Sequence, residues 1–561
     1  MLFEDDHLLV INKPAGLNTH APGPFAGEGL YDWLRHREPR WATLAIIHRL
    51  DKETSGLMVF GKTPLANRLL TEQFAEHSVR KKYLLLTDRV VKPGSFTAES
   101  ALARAGDKYL SRPLHAGGER AETRFRSIGR NGNNTLVEAE PVTGRTHQIR
   151  VHAAEHGFPI LGDTLYGGTA WPRVCLHAAA LTLRDARSKI MTFEDAPDFS
   201  ADHRQTLRAA MIEPAQTEAF RLIHGASDGW PGCYVDRLGD YALAQSEREL
   251  TEAQGQLMKI ANGARTPRPR EPIQPEHADE ASALLHELAL TDAPRCHLET
   301  VPGIKGLYQK RLNRQIRRSS PGEASPQLMH GQGAPERFVI RENGLRFELS
   351  FKEGYSAGLF LDQRDNRRRF LVNHVAAGFP LFPDGAEGAE VLNTFAYTCG
   401  FSVAAARAGA RATSLDLSKK YLEWGRRNFV WNGLDPARHD FIHGDVFDWL
   451  RRLAKKKRAF DAIVLDPPTF SQSKEHGVFR AEKDYGELIG AALPVLKPNG
   501  VVFASANAAG LKPEEFLDVI EAALARARRS ILQRHYVPQP PDFPMSRAEP
   551  AHLKTFWLRL R

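Results

Sequence analysis

FDAIVLDPPTFSQSK, residues 460–474, sets an apolar run against an acidic, double-proline exit. Ile463, Val464 and Leu465 suit a strand buried on both faces. Pro467 and Pro468 lack N–H groups and fix φ, so the strand must stop at Asp466 in a rigid loop. Such a loop can face a planar base with its carbonyls and the Phe470 ring. The same grammar continues outward: VLNTF, ATSLD and GVVFASA are apolar runs followed by Gly, Asp or helix-forming stretches. That alternation predicts a mostly parallel sheet covered by helices from about 385 onward. In VLNTFAYTCGFSVAAARAGA, 391–410, a small-residue turn precedes an alanine-rich helix, and Asp416 closes the next strand. In a doubly wound sheet these positions form the crevice for a nucleotide-like cofactor. A dinucleotide fold competes, but GxGxxG is missing and LDPPTF turns the balance away from it.

The chain has 561 residues, too many for one ordinary core, so two or three domains are expected. With 42% hydrophobic and 25% charged residues it has a globular composition. A formal charge of +9 makes a polyanionic partner reasonable without establishing one. Four scattered cysteines suit a reducing compartment and argue against a disulfide scaffold or zinc cluster. The acidic start MLFEDDHLLVINKPAG does not read as a signal peptide, and no run is long enough to span a membrane. A cytoplasmic protein without membrane contact, favoured as a monomer, is the expectation.

Residues 1–205 carry short β-like runs, and PDFSADHRQTLRAA reads as a junction. A middle module spans 212–350, with a polar, loop-like stretch at 250–290; 351–561 forms the third unit. KRLNRQIRRSSPG, 310–322, is either a solvated surface or a phosphate contact. In the first unit, HRLDKETSGLMVF, 48–60, places Asp51 at the mouth of an apolar run. A bare HRLD is weak, because Arg beside Asp is usually a structural ion pair. Downstream lie KKYLLL, RAETRF, TGRTHQIRVHAAEHGFPILGDTLYG and CLHAAALTL. As a spaced set, these motifs resemble the RluA family of RNA pseudouridine synthases over nearly all of residues 1–190.

The resemblance implies that Asp51 is the catalytic aspartate, acting through the ribose or the base. It further implies that Tyr83 packs on the flipped base and that Arg150 holds Asp51, with Arg145 the lesser candidate. Arg49 would fill the space of the extruded uridine. The chemistry breaks an N-glycosidic bond and rejoins the base through carbon, which asks for a placed carboxylate and a retaining pocket but no cofactor. The base must leave the stack, which an aromatic platform eases, and a paired Arg keeps Asp51 ionised. His48, His147 and His152 sit in separate contexts and are expected to be structural or RNA-contacting, so no metal is assigned. The additional small RNA-binding domain of many relatives is not evident before VINKPAG.

FRLIHGASDGWPGCYVDRLGDY, YSAGLFLDQRDNRRRF, NTFAYTCGFS, LDPPTF and PPDFPM…HLKTFWL together resemble class I S-adenosylmethionine methyltransferases of the RlmI and RlmK type, which act on large-subunit rRNA. That resemblance covers about 219–561 and implies S-adenosylmethionine as cofactor. Asp416 and Leu417 would meet the ribose, Asp445 and Val446 the adenine side, and Phe395, Tyr397 and Gly400 the methionine side. Phe360, Asp362, Arg364 and Arg367 would form a lid over cofactor and target. Pro467, Pro468, Phe470 and Asn507 would face the base, with Asp466 orienting the target nitrogen, and residues 212–350 would present RNA.

Cytosine C5 methylation requires a thiolate that adds at C6. Where cytosine-methylating relatives carry that cysteine, this chain reads VFASANAAG, and Cys399 belongs to the cofactor loop. Guanine N7 or N2 is therefore expected, with N7 favoured by LDPPTF. The leading expectation is a multidomain α+β and α/β enzyme that both isomerises uridine and methylates a base of large-subunit rRNA. Its competitors are a methyltransferase whose first half only binds RNA, a non-catalytic assembly factor, and a small-molecule methyltransferase.

Overall fold

The computed structural model describes residues 1–92, 94–246, 303–312, 325–353, 356–473, 477–508 and 510–561. The loop expected at 250–290 and most of the basic run at 310–322 lie outside these residues.

The N-terminal unit is built on an eleven-stranded mixed sheet. Every residue of its strand Ser55–Gly61 is buried, because both faces are covered. Leu57 and Val59 pack with Ala66 and Leu70 of the helix Pro64–Ala75, while Met58 and Phe60 face Leu30 and Leu34 of the helix Leu30–Arg37. This is the period-2 consequence of a strand with two dry faces. Thr63 starts the helix Pro64–Ala75 by accepting a hydrogen bond from Ala66 N, with Pro64 placed where no N–H is needed.

The C-terminal unit holds a seven-stranded sheet whose strands, counted in chain order, lie 3-2-1-4-5-7-6. Strands 1 to 5 are parallel, and the last strand, Lys554–Leu560, enters antiparallel between Leu496–Ala506 and Ile531–Val537. The architecture is thus a mixed-sheet unit followed by a Rossmann-like α/β unit, as expected. In the central strand Phe460–Leu465, Ala462 and Val464 face one apolar cluster and Ile463 and Leu465 the other. The order reverses between strand 1, Glu390–Thr394, and strand 4, Phe460–Leu465, which opens a crevice beyond their carboxyl ends.

Between these units lies a five-stranded sheet running from Ala219–His224 to Gln327–Gly331. Its Leu238, Tyr241, Leu243 and Tyr308 share one apolar cluster with Phe370, Val391 and Trp557. The hairpin Phe338–Glu342 and Leu345–Leu349 buries Ile340, Phe347 and Leu349 in that cluster, and Glu348 O accepts from Trp424 Nε1 at 3.0 Å. The core is therefore continuous across residue 350. The N-terminal unit joins the C-terminal one through Phe25, whose ring meets Tyr536 and Phe556 edge-on at 5.3 and 6.0 Å. Arg35 O also pairs with His374 Nε2 at 2.8 Å. Among the described residues no helix is long and apolar enough to cross a membrane.

Asp542 ties these layers together. Its side chain is 0% exposed and accepts from Arg364 Nη1 and Nη2 at 3.0 and 2.5 Å and from Arg221 N at 2.9 Å. Its carbonyl accepts from Arg208 Nη2 at 3.2 Å. Breaking such a pair strands a buried cation, so Asp542→Ala is expected to lower stability by about 3–5 kcal/mol. Chemical denaturation followed by tryptophan fluorescence would show this as an earlier transition.

Candidate active sites

The Arg49-Leu50-Asp51 triplet divides its side chains by environment. Leu50 is buried with Leu9, Leu17 and Met58, Arg49 is exposed, and Asp51 is half-buried between them. Two devices hold this corner. Thr19 Oγ1 donates to Leu50 O at 2.8 Å and accepts from Leu50 N at 3.2 Å. The buried Lys13 Nζ donates to Pro14 O, Leu17 O and Lys52 O at 3.0, 2.8 and 3.1 Å. Gly56 explains the small-residue corner that follows: its φ is +117°, and a Cβ there would lie 2.4 Å from Ala178 O. Ala178 pairs with Gly56 on one side and Tyr83 on the other, so the backbone aligns the Asp51 corner with the tyrosine strand.

Arg150 lies on the helix Gln148–Glu155, with Nη1 3.8 Å from Asp51 Oδ2. Its firmer partner is Asp163, bound through Nε and Nη2 at 2.7 Å each. Asp163 was not singled out by the sequence reading, although it stands within GDTLYG. A doubly held guanidinium is a fixed positive charge aimed at Asp51. Burial, then the Asp51 charge, pushes the Tyr83 phenol above its ordinary range, so it remains protonated at neutral pH. Arg145 is turned away and pairs with Glu119 at 3.1 Å and Arg120 O at 3.2 Å.

The three histidines have separate partners. His48 Nε2 accepts from Val59 N at 3.1 Å, and His147 Nδ1 lies 2.8 Å from the Tyr166 hydroxyl. His152 sits between Ser100 Oγ and Thr123 Oγ1 at 3.0 and 2.8 Å, and burial pushes it down to about 4.

The second centre occupies the crevice at the topological switch. After Thr394 the chain places Phe395, Tyr397 and Cys399 at φ of 54°, 49° and 64°, all left-handed. Such non-glycine strain persists only where surroundings enforce it, and functional loops are its usual home. At Tyr397 Asp416 helps enforce it: its carboxylate accepts from Tyr397 N and from Ser418 N, both at 2.8 Å. Burial raises the Asp416 carboxyl, and these backbone bonds oppose the rise. Gly400 opens the helix Gly400–Arg407 beneath this loop. Leu417 is exposed beside Asp416, whereas Val446 is buried in the core. Asp445 caps the helix Val446–Lys455 by accepting from Asp448 N at 3.1 Å.

At the end of strand 4, Asp466 Oδ1 accepts from Gln363 Nε2 at 3.1 Å, and that amide also donates to Ser505 Oγ at 2.9 Å. Gln363 thus bridges the acidic exit and the next strand, a role the sequence reading missed. Its only signal was adjacency to Asp362 in the FLDQ segment. Pro467 is buried, Pro468 exposed and Phe470 half-buried. Asn507 is exposed, and its carbonyl accepts from Thr469 Oγ1 at 2.6 Å, closing the loop.

The expected lid divides in two. Phe360 is 51% exposed, with its ring 5.3 Å from that of Tyr397, a position open to a ligand. Arg364 and Arg367, also expected in the lid, are held by buried carboxylates. Arg364 is committed to Asp542, and Arg367 binds Glu342 through two bonds of 2.6 and 2.7 Å and Phe360 O at 2.7 Å. Buried guanidinium groups need such carboxylates, so both side chains are fixed in place by the fold.

Burial, then the Asp362 charge, pushes Asp466 up to about 6, against the bonds from Ser505 and Gln363 and the charge of Arg367. Because its ordinary value of 3.8 is lower, ionisation removes stability as pH rises through about 6. Asp466→Asn should therefore gain about 1–3 kcal/mol relative to wild type between pH 5 and pH 8. Denaturation at both pH values checks this. In the first centre, Asp163→Asn should release Arg150 and slow isomerisation by at least about tenfold, with methyl transfer unchanged. Single-turnover assays of both reactions distinguish that outcome from general unfolding.

Comparison with known proteins bears on both centres. A family model for RNA pseudouridylate synthase matches residues 7–155, and one for S-adenosylmethionine-dependent methyltransferase matches residues 291–559. A ribosomal RNA large subunit methyltransferase of Deinococcus radiodurans is 32% identical, the match covering 63% of this chain and 76% of that protein. The ribosomal RNA large subunit methyltransferase I of Aeromonas hydrophila is 28% identical over 72% of this chain and 92% of its own. The solved structure of human RNA pseudouridylate synthase domain containing 4 is 26% identical, covering 37% of this chain and 92% of that one with a TM-score of 0.30. The crevice at the switch point and the extent of these matches agree: the chain belongs to the S-adenosylmethionine-dependent methyltransferase family, with an RNA pseudouridylate synthase domain joined ahead of it.

Proposed function

We propose that the protein is a bifunctional modification enzyme of large-subunit rRNA, isomerising one uridine and methylating one guanine, at N7. The observation that carries this reading is the presence on one chain of two complete polar centres. Asp51 stands beside an Arg150 fixed by Asp163, while Asp416 and Asp466 flank the switch-point crevice. The relatives' names supply the RNA class.

In the first centre Asp51 attacks the extruded uridine. Arg150 keeps it aimed, and the protonated Tyr83 covers the detached base. Arg49, exposed beside Asp51, takes the vacated place in the RNA stack. In the second centre S-adenosylmethionine, when bound, supplies an electrophilic methyl group. Asp416 and the left-handed loop 395–399 fit its ribose and methionine ends, and Asp445 lies on the adenine side. Phe360, Pro468, Phe470 and Asn507 face the target base, which Asp466 orients. The described cysteines are buried, and burial pushes the Cys399 thiol up to about 12, which disfavours the thiolate that cytosine C5 requires.

The second reading is a guanine N2 or cytosine C5 methyltransferase of large-subunit rRNA whose N-terminal half mainly binds RNA. The names of the two bacterial relatives, both methyltransferases, support it, and one observation in the second centre bears on its N2 form. N2 transfer sheds a proton, and a carboxyl raised to about 6 is better suited to take one than an ordinary aspartate.

Mass-spectrometric mapping of large-subunit rRNA from cells carrying wild type, Asp51→Ala or Asp466→Ala tests both. Asp51→Ala should erase one pseudouridine and Asp466→Ala one 7-methylguanosine. Loss of N2-methylguanosine with an unchanged pseudouridine map supports the second reading, and loss of 5-methylcytidine overturns the acceptor assignment.

A further inference from the structure

Outside both centres, Glu28, His36 and His535 meet where the N-terminal and C-terminal units join. Glu28 precedes the helix Leu30–Arg37, His36 lies in its last turn, and His535 comes from the strand Ile531–Val537. One ligand-capable atom from each lies within 4.8 Å of the others, the one such trio among the described residues. His36 Nδ1 is 2.6 Å from Glu28 Oε1, and the His36 and His535 rings stand edge-to-face with centroids 4.3 Å apart.

His535 Nε2 is buried and has no hydrogen-bond partner. Buried polar atoms are nearly always partnered, so an orphan imidazole nitrogen on a ring packed against a His-Glu pair asks for one. The surrounding charge does not forbid a cation. Arg37, Arg368 and Arg369 line the same small cavity, where Glu38 and Asp365 answer two of them and Glu28, itself a candidate ligand, faces the third. Glu38 pairs with Arg368, Asp365 faces Arg37 at 3.8 Å, and Glu28 faces Arg369 at 3.9 Å.

We propose that Glu28, His36 and His535 form a three-ligand site for a divalent transition metal of the zinc class, which clamps the two catalytic units together. Two imidazoles and one carboxylate are the donor set that tetrahedral zinc accepts, with a fourth position left for water. Metal-bound donor atoms in that geometry sit about 3.3 Å apart, so the direct Glu28–His36 bond opens as the ion enters. Because one ligand lies some 500 residues beyond the other two along the chain, the ion crosslinks units that the sequence holds only through the middle module.

The test uses the full-length chain, stripped with a chelator and titrated with cobalt(II), then zinc(II). The expected result is visible d–d absorption saturating at one cobalt per chain and displaced by zinc. Glu28→Gln and His535→Gln should each weaken binding by at least about tenfold. Circular dichroism confirms that the variants fold, and Glu28→Gln, at the edge of the cavity, serves if His535→Gln does not. No saturable cobalt signal in wild type, or an equal signal in folded Glu28→Gln, overturns the proposal.

Discussion

The buried Arg364–Asp542 pair is the constraint on which the rest of the C-terminal machinery depends. Asp542 closes off a guanidinium from the helix Arg364–Leu371 and at the same time accepts from the backbone of the middle sheet at Arg221. The helix start is therefore fixed against two layers. Gln363, the residue immediately before it, is consequently placed to reach both Asp466 and Ser505. A structural ion pair thus sets the position of an amide in the candidate methyl-acceptor pocket. The same logic operates in the first unit, where Asp163 fixes Arg150 and Arg150 in turn faces Asp51. In each centre a buried carboxylate, directly or through the next residue, fixes the group that addresses the candidate reacting one.

Much of this was legible in local sequence because local rules were enough. Apolar runs broken by Asp and Gly foretold the parallel sheet, and the Pro-Pro pair foretold the strand exit at Asp466. The Thr-Ser-Gly corner after Asp51 announced a tight backbone passage, which the approach of Ala178 O to Gly56 explains. Long-range pairings were less legible. Arg364 and Arg367 looked like lid residues because their firmest partners are distant in the chain. Their partners, Asp542 and Glu342, are 178 and 25 residues away. Asp163 and Gln363 were passed over for the same reason, since their importance lies in what the fold brings to them. The left-handed residues at 395, 397 and 399 were equally hidden, because none is glycine and the bond that holds Tyr397 comes from Asp416 on another strand.

The two units also meet directly rather than hanging on a tether. The Phe25 ring lies against Tyr536 and Phe556, and Arg35 O pairs with His374. If one RNA engages both centres, as proposed, this junction restricts its geometry and raises its effective concentration at the second. That arrangement gives a physical reason for joining two chemistries that share no intermediate.

The central claim is that both centres work on one RNA class. Its most direct measurement is a single incubation of the purified chain with large-subunit rRNA carrying [5-3H]uridine and with [methyl-14C]S-adenosylmethionine. The account predicts release of one tritium and incorporation of one methyl group per RNA. Methyl incorporation without tritium release, or release without methylation, would contradict it.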